Sequence, residues 1–166
     1  MPRIVIVGGH GNVSSLYLSS ELQRAHLAIN IIQVSMRLAR YLAPKPNHNV
    51  ISLIRNASQS QDITATGAAP KVISLEDDSK EKFAEVFEGS DVVYFSAGAG
   101  GKGGPERTKK VDYEGALKVF DAIELVKGGK PRLILVSAID IRDPNIVPSH
   151  YVRTAFMQTF LSLDVV

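Results

Sequence analysis

Five short runs of apolar, largely β-branched residues recur along the chain and predict five strands. The runs are near-continuous rather than alternating, which is typical of parallel strands that are covered on both faces. They lie at Arg3–Val7, Val50–Ile54, Lys71–Leu75, Asp91–Phe95 and Arg132–Val136.

Helical patterns separate these runs. Strand alternating with helix predicts βαβ units with right-handed crossovers, and therefore an α/β fold with a parallel sheet. The helical segments are Ser15–Leu42, Ser79–Phe87 and Thr108–Val126, with a turn or short helix at Ser58–Thr66.

The first helical segment is too long for this fold. Gly11 and Arg55 lie 44 positions apart, whereas the second strand of a dinucleotide-binding fold ends about 20 residues after its glycines. The dipeptide Val-Ser occurs at 13–14 and again at 34–35, and deleting Ser15–Ser35 leaves a compact amphipathic helix. One hypothesis is that Ser15–Ser35 is an insertion from a retained intron or an altered gene model; the alternative is one long or bent native helix.

Composition narrows the function classes. The chain has 166 residues, 45% hydrophobic and 22% charged, as expected for one globular domain. A net charge of +2 without a basic stripe does not indicate nucleic acid. The absence of cysteine excludes disulfides and thiolate sites and fits a reducing compartment, the cytoplasm or also the nucleus. No signal peptide and no membrane span are expected.

The glycine cluster in "IVIVGGHGNVS" follows the first predicted strand and precedes a helix. Glycine lets such a turn be tight and lets its backbone approach a pyrophosphate, which the helix N-terminus attracts. Two glycine spacings overlap here, one starting at Gly8 and one at Gly9, and both continue through Gly11. Each ends on Ser14, where a third glycine is usual. A purely structural glycine loop is the alternative. The predicted cofactor contacts are Gly8, Gly9, His10, Gly11, Asn12 and Val13, with the His10 side chain expected to face solvent.

The second strand ends in "ISLIRN", with Arg55 and Asn56 where NAD-specific folds place an acidic residue. A basic residue at this position accommodates a 2′-phosphate, and a guanidinium matches phosphate well. The sequence therefore favours NADP(H) over NAD(H). The alternative is that Arg55 is an ordinary exposed residue at a strand end.

Two further strand ends carry candidate site residues. The loop "SAGAGGKGG" follows the fourth strand, and ligands bind at the carboxyl ends of strands in open α/β sheets. Ser96, Ala97 and Gly98 are expected to contact the cofactor through their backbone, and Lys102 to meet phosphate or a substrate anion. The alternative is a mobile surface loop. Ser137 follows the fifth strand and is a candidate to orient a substrate carbonyl, or else bonds its own backbone. The four histidines have no metal-ligand spacing, so no metal is predicted.

Together these motifs, with "KKVDYEGALKVFDAIE" and "RLILVSAIDIRD", resemble the atypical short-chain dehydrogenase/reductases, and more narrowly the fungal NAD(P)H-binding proteins of the NmrA-like group. The resemblance covers residues 2–14 and 36–151. It implies a doubly wound Rossmann fold with strand order 3-2-1-4-5 over residues 1–151. It also implies bound NADP(H), an active-site serine at Ser137, and Asp112 near the cofactor.

The chain departs from this family at three places. The third glycine is Ser14, and the acidic position after the third strand falls on Leu75 or Glu76. The tail 152–166 matches nothing in the family, and Tyr151 is followed four positions later by Ala155 rather than lysine. We therefore expect a chain that lacks the family's C-terminal part, including its sixth strand and its tyrosine and lysine pair.

Three functions remain open at this point. The chain is an NADP(H)-dependent oxidoreductase acting on a carbonyl or quinone-like acceptor, or a non-catalytic NADP(H) sensor with a regulatory protein partner. The third alternative is a defective splice product that binds little dinucleotide.

Overall fold

The computed structural model describes residues 1–10, 34–99 and 104–136. Their strands form one parallel sheet in the order β3-β2-β1-β4-β5, which confirms the predicted doubly wound topology. The strands are β1 (Arg3–Val7), β2 (Asn49–Ile54), β3 (Ala69–Val72), β4 (Val92–Phe95) and β5 (Arg132–Leu135).

Helices cross between the strands of this sheet. They are α1 (Val34–Leu42), α2 (Ser60–Thr64), α3 (Lys80–Phe87), α4 (Gly104–Thr108) and α5 (Gly115–Leu125). A 3-10 turn at Ala57–Gln59 precedes α2, and a π-helical turn at Lys109–Glu114 joins α4 to α5. No helix within these described ranges is long and apolar enough to cross a membrane.

Both faces of the central strand β1 are buried, which explains its uninterrupted apolar sequence. Val5 and Val7 pack on one side with Phe83 and Phe87 of α3 and with the buried face of α5. Ile4 and Ile6 pack on the other side with residues of α1, among them Met36 and Ala39. Parallel sheets of this kind bury both faces because their crossover helices cover them.

Strand β3 lies two residues earlier than the sequence predicts. The apolar run Lys71–Leu75 predicted the strand, but the ladder with β2 spans Ala69–Val72 and includes Pro70. Proline fits here because β3 is an edge strand with one open side. Ile73 and Ser74 are buried although they follow the strand. The apolar run therefore marked burial and not the limits of the ladder.

The helix before β5 also begins earlier than predicted. The periodic pattern starts near Thr108, whereas the chain is helical from Gly104 through the π-helical turn. A π-helical turn adds a residue to the helix repeat, so the apolar spacing of α5 does not continue backward into α4. Most of the predicted helix Ser15–Leu42 lies outside the described residues, and α1 is described from Val34.

Candidate functional site

The carboxyl ends of three adjacent strands coincide at one edge of the sheet. Val7 of β1 is in register with Leu53 of β2 and with Phe95 of β4. The strand order reverses at β1, and open α/β sheets bind ligands in the crevice at such a switch point. The residues that follow these three strands are therefore the candidate site.

The glycine turn, residues Gly8–His10, leaves β1 at this edge. Gly8 has φ +82°, a conformation that side chains with a Cβ rarely adopt. A Cβ added to Gly8 would also lie 2.6 Å from the Cα of Ala97. Gly8 therefore needs to be glycine for two reasons, and one of them is contact with the loop after β4.

Gly9 is confined on the opposite side by β2. Its N–H donates to the carbonyl of Leu53 at 2.8 Å, and an added Cβ would lie 2.7 Å from Cβ of Ser52. The glycine spacing predicts that these residues allow a close approach of the pyrophosphate. In the described residues they also give room to neighbouring protein atoms, a requirement that the motif alone does not reveal.

The sequence predicts that the His10 side chain faces solvent. In the structure the side chain instead contacts an acidic residue and is only partly exposed. Its Nε2 lies 2.8 Å from Oδ2 of Asp62 on α2, and the side chain is 23% exposed. This contact joins the glycine turn to the crossover that follows β2. The sequence gives no signal for it, because 52 positions separate the two residues.

The loop after β4, residues Ser96–Ala99, is held at its start by buried hydrogen bonds. The Ser96 N–H donates to the Val7 carbonyl at 3.0 Å. The Ser96 hydroxyl accepts a 2.9 Å hydrogen bond from the hydroxyl of Ser35, and both side chains are fully or almost fully buried. The Ser96 side chain is thus engaged by α1 and its N–H by β1. Backbone contact of Ser96, Ala97 and Gly98 with a cofactor stays a prediction.

Asp112 holds the other end of this loop. Its Oδ1 accepts a 2.5 Å hydrogen bond from the N–H of Ala99, and a Cβ on Gly98 would lie 3.3 Å from the same oxygen. Burial raises the pKa of the Asp112 carboxyl, although the Ala99 N–H and the charge of Arg107 act in the opposite direction. The π-helical turn that carries Asp112 is a feature found frequently at functional sites.

A second group of side chains, the arginine cluster, consists of Arg55, Glu76 and Arg107. Glu76 Oε1 accepts from Arg55 Nη1 at 3.3 Å and from Arg107 Nη2 at 3.2 Å. Partial burial acts to raise the pKa of Glu76, but the hydrogen bonds and charges of Arg107 and Arg55 outweigh it, and the pKa lies below its ordinary value. The cluster therefore holds two guanidinium groups and one carboxylate, with a net positive charge.

Asn56, the residue after Arg55, is used by the local backbone. Its side-chain oxygen accepts from the N–H of Ser58 at 3.0 Å, and its own N–H donates to the Gln59 side chain at 3.2 Å. This reciprocal arrangement is a capping box that begins the 3-10 turn. Asn56 is also a predicted cofactor-binding residue, and its side-chain oxygen already has a structural partner.

Sequence reasoning missed Arg107 and the pairing of Glu76. The cation that the sequence predicts within the glycine-rich loop, Lys102, stays a prediction, because it lies outside the described residues. Several predicted site residues lie outside the described ranges, as do the segment 15–33 and the tail 152–166. Those site residues are Gly11, Asn12, Val13, Lys102 and Ser137.

The described residues fit a dinucleotide. The glycine turn, the loop after β4 and Arg55 of the arginine cluster follow the strands at the switch point of the sheet, where open α/β sheets bind ligands. The turn closes without a side chain at Gly8 and Gly9, where neighbouring protein atoms leave no room for a Cβ.

Comparison with known proteins agrees with this geometry. The chain is 38% identical over 159 residues to a UPF0659 protein of Schizosaccharomyces pombe, covering 93% of this chain and 54% of that protein. It is 31% identical over 128 residues to the uncharacterised sugar epimerase YhfK of Bacillus subtilis, covering 72% of this chain and 58% of that protein. The chain thus spans about half the length of the curated relatives it matches.

Solved structures show the same fold. A Bacillus halodurans protein, provisionally described as an NAD-dependent epimerase/dehydratase, superposes with a TM-score of 0.71 at 26% identity, covering 97% of this chain and 62% of that chain. The oxidoreductase ylbE of Lactococcus lactis superposes with a TM-score of 0.64 at 21% identity, covering 96% of this chain and 62% of that chain. The profile of the NAD(P)H-binding domain family matches residues 33–162. The chain therefore belongs to the NAD(P)H-binding family, with a Rossmann-like fold.

Proposed function

We propose that this chain binds NADP(H) in preference to NAD(H). The observation that carries the proposal is the place of Arg55, directly after β2 and beside the glycine turn, with a side chain 58% exposed. In Rossmann folds this position faces the adenosine ribose, where NADP carries its 2′-phosphate. A guanidinium presents several donors in a planar fork that fits the oxygens of phosphate.

The ion pair between Arg55 and Glu76 does not oppose this role. Exposed ion pairs contribute about 1 kcal/mol or less, because water screens them and two side chains must be ordered. A phosphate with two negative charges offers Arg55 more acceptor oxygens than one carboxylate does. Exchanging part of the Glu76 contact for a 2′-phosphate is therefore favourable.

The reaction we propose for the complete protein is hydride transfer between the nicotinamide and a carbonyl or quinone-like acceptor. The bound nicotinamide supplies or accepts the hydride. The chain's own contribution is to bind and orient the cofactor. The glycine turn positions the phosphates, and the loop after β4, held by Ser96 and Asp112, positions the adjoining part of the cofactor.

Isothermal titration calorimetry with NADPH and NADH tests the cofactor preference. We expect the chain to bind NADPH at least about tenfold more tightly, since charge-assisted hydrogen bonds contribute roughly 1.5–3 kcal/mol. Arg55→Ala is expected to remove that preference. Arg40→Ala, which takes the same charge from an exposed position on α1, is the matched control. Equal affinity of the unaltered chain for both cofactors refutes the proposal.

Sugar epimerisation is the second candidate function, because a relative of 31% identity carries that name. An epimerase returns the hydride to its substrate, so its cofactor undergoes no net change, whereas a reductase consumes NADPH. Following NADPH absorbance with carbonyl, quinone and nucleotide-sugar substrates separates the two. Net oxidation with a carbonyl or quinone supports the reductase, and sugar interconversion without net oxidation supports the epimerase.

We also infer that residues 15–35 are an insertion that the fold does not require. Helix α1 is described from Val34, and Ser35 contacts Ser96 from its first turn. Removing residues 15–35 places Val13 and Ser14 directly before Met36, which restores the same dipeptide. The shortened chain is expected to retain its thermal midpoint and its NADPH affinity. Loss of folding on deletion contradicts the inference.

A further inference from the structure

One carboxylate oxygen in the arginine cluster serves two guanidinium groups from different parts of the chain. Arg55 Nη1 and Arg107 Nη2 both lie within 3.3 Å of Glu76 Oε1. Two guanidinium groups that share one oxygen lie close together. Their planar forks and their combined positive charge suit an anion with several oxygens.

The three side chains come from three successive crossovers. Arg55 follows β2, Glu76 follows β3, and Arg107 lies on α4 after the loop that leaves β4. Arg107 and Glu76 are 26% and 21% exposed, whereas Arg55 is 58% exposed. Arg107 and Glu76 therefore form a partly covered base, and Arg55 forms an outer arm that is free to adjust.

Arg107 also connects this cluster to the loop after β4. Its positive charge acts on the carboxyl of Asp112, which holds Ala99 through a backbone hydrogen bond. Its Nη2 shares Glu76 Oε1 with Arg55, so the side chain also lies beside the expected 2′-phosphate position at Arg55.

We propose that Arg107 is a second residue that binds the 2′-phosphate and that Glu76 sets the strength of that binding. Glu76 holds the two guanidinium groups close together before the ligand arrives, and the phosphate then takes over donors that point to the carboxylate. This inference rests on the proposed NADP(H) preference. It adds that Arg107 and Glu76 determine the size of that preference.

The charge of Glu76 has a definite consequence. A carboxylate between two arginines lowers the net charge of the cluster from two to one, and it lies near the position of a doubly charged phosphate. Replacing Glu76 with glutamine keeps an acceptor oxygen for both guanidinium groups and removes the repulsion. Glu76→Gln is therefore expected to bind NADPH severalfold more tightly, with NADH little changed.

The test compares two pairs of ligands by calorimetry: NADPH with NADH, and 2′,5′-ADP with 5′-AMP. The second pair isolates the 2′-phosphate from the nicotinamide. Arg107→Ala is expected to weaken NADPH and 2′,5′-ADP by about tenfold to a hundredfold, with NADH and 5′-AMP within about twofold. Arg107→Lys is expected to be intermediate, because lysine keeps the charge without the planar fork.

Lys110→Ala is the matched control, since it removes one positive charge from an exposed position three residues further along the same helical stretch. It is expected to change all four affinities by less than about twofold. Circular dichroism and thermal melts of each variant establish that it is folded. If Arg107→Ala weakens all four ligands equally, or none of them, the assignment of Arg107 is wrong. If Glu76→Gln weakens NADPH, the role given to Glu76 is wrong.

Failure of this inference is distinguishable from failure of the proposed function. If Arg55→Ala abolishes the preference for NADPH while Arg107→Ala retains it, the cofactor assignment stands and Arg107 is no ligand. If the unaltered chain shows no preference at all, the underlying proposal fails.

Discussion

The glycine turn and the arginine cluster lie at the same edge of the sheet but are held by different interactions. Gly8 and Gly9 are packed against backbone and Cβ atoms of β2 and of the loop after β4, with no room for a methyl group. The arginine cluster consists of long side chains joined by partly exposed ion pairs. The first region is therefore fixed by packing, whereas the second has freedom to exchange partners with a ligand.

This difference assigns the two regions different roles. Close-packed interiors tolerate small changes of volume poorly, so the glycine turn contributes to the stability of the fold as well as to binding. Exposed ion pairs contribute little to stability, so the arginine cluster is suited to ligand selectivity. Substitutions in the turn are expected to affect folding first, and substitutions in the cluster to affect affinity first.

The largest expected effect is that of Gly8→Ala. The positive φ costs about 1 kcal/mol for a residue with a Cβ, and the overlap with Ala97 adds about 2 kcal/mol. Urea unfolding is expected to show a loss near 3 kcal/mol. Gly104→Ala is the matched control, because Gly104 has φ +74° but no atom of the described residues lies within 4 Å of the added Cβ. Equal losses in both variants would show that the Ala97 contact is unimportant.

Ser96→Ala is expected to have the next largest effect on stability. It removes the acceptor of the Ser35 hydroxyl in a fully buried position, and an unsatisfied buried donor costs about 1–3 kcal/mol. Ser90→Ala is the control, since the Ser90 hydroxyl is buried without a hydrogen-bond partner in the part of the chain that the structure describes. We expect that control to be neutral or slightly stabilising. A comparable loss in Ser90→Ala would remove the case for the Ser35–Ser96 bond.

The sequence predicted the sheet well because its information is local. Each β-branched run and each helical period reflects burial of nearby residues, and the order 3-2-1-4-5 follows once the glycine motif identifies the fold. The limits of β3 were less accurate, because Ile73 and Ser74 are buried beyond the last ladder residue. Burial and strand pairing coincide in the centre of a sheet, but they separate at an edge strand.

The site was predicted less completely because it depends on contacts between distant residues. The position of Arg55 could be inferred from the end of a strand, but its pairing with Glu76 spans 21 positions and the pairing of Arg107 spans 31. Nor does the glycine motif reveal that Ala97 and Ser52 occupy the space beside it. Such contacts follow from the packing of crossovers, which a single sequence does not encode in any short pattern.

Asp112→Asn tests a pH dependence of the packed region. A carboxyl whose pKa is raised in the folded state is destabilised when it ionises, so stability falls as pH rises above the ordinary value of 3.8. The difference in unfolding free energy between Asp112→Asn and the unaltered chain is therefore expected to grow in favour of the variant from about pH 4 upward. Asparagine keeps an acceptor oxygen for the Ala99 N–H.

Carboxyls with lowered pKa, such as Glu76, contribute stability that is lost as pH falls. Both Asp112→Asn and the unaltered chain contain Glu76, so its contribution cancels when their unfolding free energies are subtracted. Asp121→Asn, which removes a carboxylate from an exposed ion pair with Lys80, is the control, and the trend of Asp112→Asn is expected to exceed it. A flat difference for Asp112→Asn would mean that burial of the carboxyl is not coupled to folding.

Arg55→Ala is expected to have the smallest effect on stability of the four substitutions, although it has a large effect on affinity in the proposed function. Its side chain is 58% exposed and its contact with Glu76 is at the long limit of a hydrogen bond, 3.3 Å. Glu76 also retains Arg107 after the substitution, so no carboxylate is left without a partner. We expect urea unfolding to change by no more than about 0.5 kcal/mol. If Arg55→Ala instead destabilises the chain as much as Ser96→Ala does, the arginine cluster is part of the structural framework, and its selective role in binding would have to be carried by other residues.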